Sequence, residues 1–263
     1  MTFKDHFSGH ASAYAAARPT YPPALFDWLA ERCAERHLAW DAGCGNGQAA
    51  LALASRFDHV YASDPSAEQI AAAPPDPRIR YAVEAAEACS LTDASADLIT
   101  VAQAYHWFDH ARFAEQARRV LKPGGLLAVF NYARSSVCPE IDALFDHLHD
   151  HTLAADWPPE RYFAVDGFHH LPMPFPECSD HPPAHFRLHC DWTLDQYLAY
   201  LRSWSGCQRY LKRTGLDPIA AITPAMADAW GAPDQPRAVI WPLTLRCARK
   251  PGRLAGRGEH PLA

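Results

Sequence analysis

The segment that most constrains this chain is Trp40-Asp41-Ala42-Gly43-Cys44-Gly45-Asn46-Gly47-Gln48, which follows a short apolar run and opens a helix-like one. Glycines at alternate positions let the backbone turn sharply and approach a ligand with no Cβ in the way. A nucleotide-like ligand fits such a loop. A dinucleotide fingerprint needs glycine at the first, third and sixth positions, but the sixth here is Gln48, and no Gly-Lys-Ser/Thr follows for a triphosphate. Asp41 places a negative charge where a pyrophosphate would be repelled and an ammonium or hydroxyl welcomed, which points to a cationic amino-acid moiety. Asp64 follows Asp41 by 23 positions, at the end of the run Val60-Tyr61-Ala62-Ser63-Asp64-Pro65. A carboxylate at a second strand end can accept hydrogen bonds from both ribose hydroxyls. The plainer alternative is that Asp64 caps a helix beginning near Ser66.

Around this loop, apolar runs alternate with helical periodicity. Pro22-Pro23 opens a segment in which Leu25, Trp28, Leu29 and Cys33 recur at spacings of three and four, an amphipathic helix before the first strand. Strands are predicted over 37–40, 59–62, 79–83, 98–102 and 126–130, and helices over 48–56, 66–73 and 110–120. This rhythm predicts a parallel sheet wound by right-handed crossovers. Beyond Phe130 frequent prolines, histidines and aromatics read as an inserted cap. A strand over 184–189, helices over 194–204 and 225–230, and a last strand over 238–248 follow. Pro242 fits that last strand badly, since proline cannot donate to a ladder; a bulge or an unpaired donor is expected there. The resulting division is a lid and helix (1–36), an α/β core (37–133), a cap (134–190), C-terminal helices with the last strand (191–250), and a disordered tail (251–263).

Composition excludes some partners. No stretch of about 18 apolar residues offers a membrane span, and the alanine-rich N-terminus is broken by Asp5, His6 and His10, unlike a secretory signal. A net charge of −6 lacks the basic excess that a phosphate backbone demands. Eight scattered cysteines without a CxxC pair read as reduced thiols of a cytoplasmic protein. The cap holds His169, His170, Cys178, His181, His185, His189 and Cys190. Read as a strand, residues 185 and 189 stand about 13 Å apart. The spacing matches no compact zinc pattern, so no metal is expected.

Four motifs in order resemble the class I S-adenosylmethionine (SAM)-dependent methyltransferases, in the methyltransferase type 11 branch: Asp41 to Gly47, then Asp64, then Ala86-Glu87 ahead of Asp93-Ala94-Ser95-Ala96-Asp97-Leu98, and Leu121-Lys122-Pro123-Gly124-Gly125. Tyr14-Ala-Ala-Ala-Arg18-Pro19-Thr20-Tyr21-Pro22 and Gln103-Ala104-Tyr105-His106-Trp107-Phe108-Asp109 are similar to a group that includes fungal trans-aconitate 3-methyltransferase. The resemblance covers about residues 5–132. It implies a Rossmann-like α/β sheet, mostly parallel with an antiparallel last strand, plus a helical and aromatic cap. It also implies that SAM is the cofactor, that the Gly43 to Gly47 loop, with Cys44 and Gly45 in it, wraps the methionine portion, and that Asp64 holds the ribose. Ala86 and Glu87 would flank the adenine; Ala85 stands where many relatives have an aspartate. Tyr14, Arg18 and Tyr21 would form a lid, with the Arg18 guanidinium matched to the cofactor carboxylate.

Methyl transfer from a sulfonium is an in-line displacement, which asks chiefly for alignment and exclusion of water. A base helps when the acceptor carries a proton, and histidine titrates in the useful range. Gln103, His106 and Trp107 follow the strand over 98–102, and ligands of open α/β sheets sit beyond carboxyl strand ends. His106 is therefore the candidate base, with Trp107 beside it; the alternative is that the pair packs the next helix. Trp157, Tyr162, Phe163, Phe168 and Phe175 could line a substrate wall or form the cap's own core. Arg202, Arg209 and Arg213 could meet an acidic substrate or form a solvated face. The expected activity is methylation of a small molecule, on a carboxylate or another oxygen or nitrogen, by a monomer or homodimer. Methylation of protein or nucleic acid, or SAM binding without catalysis, are the alternatives.

Overall fold

The computed structural model describes residues 18–132, 134–179 and 186–252; Tyr14, His181, His185 and the tail from residue 253 lie outside them. Helix α1 (Pro23–Glu31) leads into β1 (Leu38–Ala42), α2 (Gln48–Ala54), β2 (His59–Asp64), α3 (Ala67–Ala71), β3 (Ile79–Val83), β4 (Ala96–Ala102), α4 (His110–Val120) and β5 (Leu121–Tyr132). The cap contributes α5 (Pro139–His147) and α6 (Arg161–Val165). Then come β6 (Arg187–Trp192), α7 (Leu194–Arg202), α8 (Ser205–Thr214), α9 (Pro218–Trp230) and β7 (Arg237–Arg249).

The seven strands form one sheet in the order β3-β2-β1-β4-β5-β7-β6, with β1 to β5 parallel and β7 antiparallel to both its neighbours. The expected Rossmann-like sheet with an antiparallel last strand is thus the one found. Its central strands are buried on both faces, the reason they read as continuous apolar runs. Period-two alternation divides the core. Ala39, Leu98 and Leu126 face α1 and α2, while Trp40, Ile99 and Leu127 face α4. A third core joins α5 and the C-terminal helices around Tyr197, Leu201, Trp230 and Trp241.

Asp97, one of the residues carrying the family resemblance, works at the opposite end of the sheet from the glycine loop. Its Oδ2 accepts from the His37 and Leu38 N–H groups (2.8 and 3.0 Å) that start β1, and Oδ1 pairs with Lys122 of β5. It therefore sets where the first strand begins. Pro242 is also accommodated by topology. The half of β7 before it pairs with β6, and the half after it pairs with β5 from Tyr132↔Leu243 onward. Ile240 faces the β5 side through Ser136, so by alternation the N–H that proline lacks falls on that side, past the last β5 pair.

The second half departs from the sequence reading in three places. The strand predicted over 184–189 runs instead over Arg187–Trp192, where it meets β7. Helix α9 starts at Pro218, earlier than the predicted 225–230, and passes through Pro224. Helix α8 was not predicted. It buries only Gly206 and Cys207, too narrow a stripe to show as periodicity, and Gly206 lets the Trp157 indole come within 3.0 Å of where a Cβ would sit.

Candidate active site

A cavity of about 730 Å³ lies at the carboxyl ends of β1 to β5. Its floor is the glycine loop between β1 and α2. Gly43 and Cys44 both donate from their backbone N–H groups to the Ser63 carbonyl (2.8 and 3.0 Å), which ties the loop to β2. Gly43 has φ +69°, and a Cβ there would stand 2.7 Å from the Ala104 Cβ, so glycine is required by both conformation and space. Gly47, with φ +86°, forms the left-handed entry to α2, and a Cβ there would meet the Tyr81 hydroxyl at 2.6 Å.

Asp64 is fastened rather than capping. Its Oδ2 accepts from the Gly45 N–H (3.0 Å) and its Oδ1 from the Ser66 N–H (2.8 Å), while Ser66 itself caps α3 through the Gln69 N–H. A carboxylate oxygen accepts more than one hydrogen bond, so this fastening orients the group towards the cavity it lines.

Asp41 lies beneath the loop with no exposed surface and does not line the cavity. Oδ1 accepts from the Thr100 hydroxyl (2.9 Å), whereas Oδ2 has no hydrogen-bond partner. Burial pushes its pKa up to about 7, against the opposing pull of the Thr100 hydroxyl and the Ala50 N–H at the start of α2, with the Asp64 charge adding to the rise. Cys44 beside it is held well above the ordinary thiol range, first by burial and then by Asp41 and Asp64, so it is a cavity wall and not a nucleophile.

The side walls come from the turns after β3 and β4. Ala86 and Glu87 line the cavity together with Ala85, and the Glu87 Oε1 accepts from the Asp109 N–H (2.7 Å) at the start of α4. Gln103 and Trp107 line it from the turn after β4, and Arg18 and Tyr21 from the segment before α1. Arg18 also approaches the Tyr132 hydroxyl (3.5 Å) and the face of Tyr200. The structure thus brings Arg18, Gly43, Cys44, Gly45, Asp64, Ala86, Glu87, Gln103 and Trp107 around one space, with Asp41 directly below it.

His106 stands apart. Its ring is buried behind Trp107, 4.5 Å from that ring and stacked on Phe168 at 5.7 Å, and it is absent from the cavity wall. Burial, then Arg161 and His110, bring its pKa down to about 3, and Nδ1 has no hydrogen-bond partner. It is a neutral ring supporting Trp107. Among the cap aromatics, Phe168 and Phe175 are buried in the core shared with α4, Trp157 packs with the C-terminal helices, and Tyr162 is 72% exposed. None lines the cavity. Arg213 pairs with the buried Asp156 (2.6 Å) and Arg202 with Asp217 (3.0 Å), outside the cavity wall.

Sequence reasoning did not find Tyr132, Arg112, Gln69 or Glu160, all on the cavity wall. Tyr132 could have been found, since it ends β5 at the carboxyl edge that also supplied Gln103. Glu160 arrives from the cap and has no local signal. Among the described residues no group of three His, Cys, Asp or Glu side chains comes together as a metal cluster, and no helix is long and apolar enough to cross a membrane. No disulfide joins the eight cysteines.

Known proteins resemble this chain in sequence and fold. A family profile described as a methyltransferase domain matches residues 40–129. A Dictyostelium discoideum protein assigned as a methyltransferase is 32% identical over 236 residues, 88% of this chain and 89% of its own. An uncharacterized methyltransferase of Mycobacterium tuberculosis is 39% identical over 127 residues, 47% of this chain and 50% of its own. A solved structure assigned as a type II methyltransferase, from Anaeromyxobacter dehalogenans, superposes with a TM-score of 0.83 at 46% identity, covering 89% of this chain and 99% of that one.

Proposed function

This chain belongs to the class I SAM-dependent methyltransferases, and from that membership we propose that its cavity holds SAM beside a small-molecule acceptor and directs the methyl group onto an oxygen or nitrogen of that acceptor, a carboxylate among the candidates. The cofactor supplies an electrophilic methyl carbon. The observation that carries the reading is the pairing of a fastened Asp64 with an unpartnered, buried Asp41 oxygen under a glycine loop.

The residues fit the cofactor chemically. Asp64 accepts from the ribose hydroxyls, and the Gly43, Cys44 and Gly45 segment surrounds the methionine portion. Asp41 supplies negative potential below its ammonium, and Arg18 meets its carboxylate. Ala86 and Glu87 flank the adenine. The volume of about 730 Å³ sits within the range of about 300–1,000 Å³ common to small-molecule sites. Tyr21, Trp107 and Tyr132 exclude water from the acceptor end and orient the acceptor. His106 contributes by bracing Trp107; an ionised carboxylate acceptor has no proton to lose and needs no histidine base. Nucleic acid and membrane have no part in this reading, and a monomer or homodimer in the cytoplasm suffices.

Calorimetric titration of SAM and S-adenosylhomocysteine into the wild type and Asp64→Ala tests it. Micromolar binding by the wild type, weakened at least about ten-fold in the variant, is expected for the loss of two charge-assisted hydrogen bonds. A folded wild type that binds neither compound refutes the proposal.

A further inference from the structure

Gln103 is held in a conformation that glutamine rarely adopts. It follows directly on β4 with φ +58°, in the left-handed region uncommon outside glycine, asparagine and aspartate. Two bonds to β5 keep it there: its backbone N–H donates to the Phe130 carbonyl (3.0 Å), and Nε2 donates to the Tyr132 carbonyl (2.8 Å). A carbonyl can only accept, so the amide nitrogen must be the end facing Tyr132, and Oε1 is the other prong. Among the described residues Oε1 receives no hydrogen bond, and the residue lines the cavity. Strained backbone held by surrounding bonds next to a cavity is the usual mark of a functional position.

Its place in the fold identifies what it faces. Strands β1 and β4 are neighbours at the centre of the sheet, where the strand order reverses. The glycine loop and Asp64 lie on one side of Gln103, at the tips of β1 and β2. Tyr132 lies on the other, at the tip of β5. Gln103 therefore stands between the part of the cavity read above as holding the cofactor and the aromatic end left for the acceptor. The cofactor group that belongs at such a boundary is the sulfonium with its methyl. That cation has no N–H or O–H to donate, so only lone pairs and π faces can hold it.

We propose that the amide oxygen of Gln103 holds the methyl-bearing sulfonium in line with the acceptor. This rests on the cofactor reading above. The acceptor's lone pair forms the new bond to the methyl carbon as the sulfur–carbon bond breaks, and the electron pair of that bond stays on sulfur as a neutral thioether. Gln103 neither gives nor takes a proton. An amide oxygen suits the task because it carries partial negative charge yet is a poor nucleophile, whereas a carboxylate or imidazole there would compete for the methyl. Locking by Tyr132 sets the dipole before the ligand arrives, so no reorganisation is needed.

The test compares SAM with S-adenosylhomocysteine, which lacks the charge and the methyl but presents the same amino acid, ribose and base. Both are titrated calorimetrically into wild type, Gln103→Met and Gln103→Glu, with folding checked by circular dichroism. Gln103→Met keeps length and strain but removes the amide; SAM affinity is expected to fall about five-fold or more while S-adenosylhomocysteine stays within about two-fold. Gln103→Glu is expected to raise the preference for SAM over S-adenosylhomocysteine by about five-fold. If Gln103→Met does not fold, the Glu variant decides. Parallel shifts of the two ligands, or an unchanged preference in the folded variants, overturn the proposal while leaving the cofactor site intact. A wild type that binds neither ligand overturns the cofactor reading itself.

Discussion

Replacing Asp41 by asparagine should make the ligand-free protein more stable in alkaline than in acidic solution relative to the wild type. Burial without a partner for Oδ2 lifts the folded-state pKa from 3.8 to about 7, so the native state holds its proton more tightly than the unfolded chain does. The stability associated with that proton is fully present below the unfolded pKa and is lost as the pH rises through about 7. At about 1.4 kcal/mol per pKa unit, the raised pKa of Asp41 costs roughly 4 kcal/mol at pH 8 and roughly 2 kcal/mol at pH 5, a difference of about 2–3 kcal/mol. Asparagine carries no titrating group and can still accept the Thr100 hydroxyl. Urea unfolding of both proteins at pH 5 and pH 8 measures the change in their stability difference, from which other titrating groups and any pH-independent effect of the amide cancel. The variant should gain about 2–3 kcal/mol on the wild type across that interval. Equal pH dependence in the two proteins would show that Asp41 is not a buried acid of raised pKa, and the electrostatic account of the loop would fall with it.

His106 should show the opposite sign. Its folded pKa is brought down to about 3, so the stability it contributes is present above the unfolded value of 6.5 and lost as the pH falls. Wild type should lose about 2 kcal/mol between pH 7 and pH 5 that His106→Phe, which keeps the stack on Phe168, does not; parallel unfolding curves would contradict this. Gly43→Ala should destabilise the protein by about 2 kcal/mol or more, because its Cβ would meet Ala104 in a backbone conformation unsuited to alanine. A change below about 0.5 kcal/mol, the scale of an ordinary surface substitution, would mean that the loop has room to shift.

The chain from Trp40 to Asp64 was legible because its structure is local and doubly constrained. Strands buried on both faces read as apolar runs, glycines mark the turn, and the acid follows at the distance that one strand–helix–strand unit imposes. Strand-end reasoning likewise placed Gln103 and Trp107 at the cleft. The same reasoning could not tell which side chain of that turn would point in. His106 faces away because Phe168, distant in sequence, covers it, and Phe168 is in turn placed by Arg246 of β7, which binds the Phe168 and Leu171 carbonyls and the Glu177 carboxylate. Glu160 reaches the cavity only because the cap folds over it, and Pro242 is tolerated only because β7 changes partners there. Periodicity and turn chemistry are properties of adjacent residues and are written in the sequence. Burial, a raised or lowered pKa and the facing of a ring depend on residues brought together from far along the chain, and only the packed structure decides them.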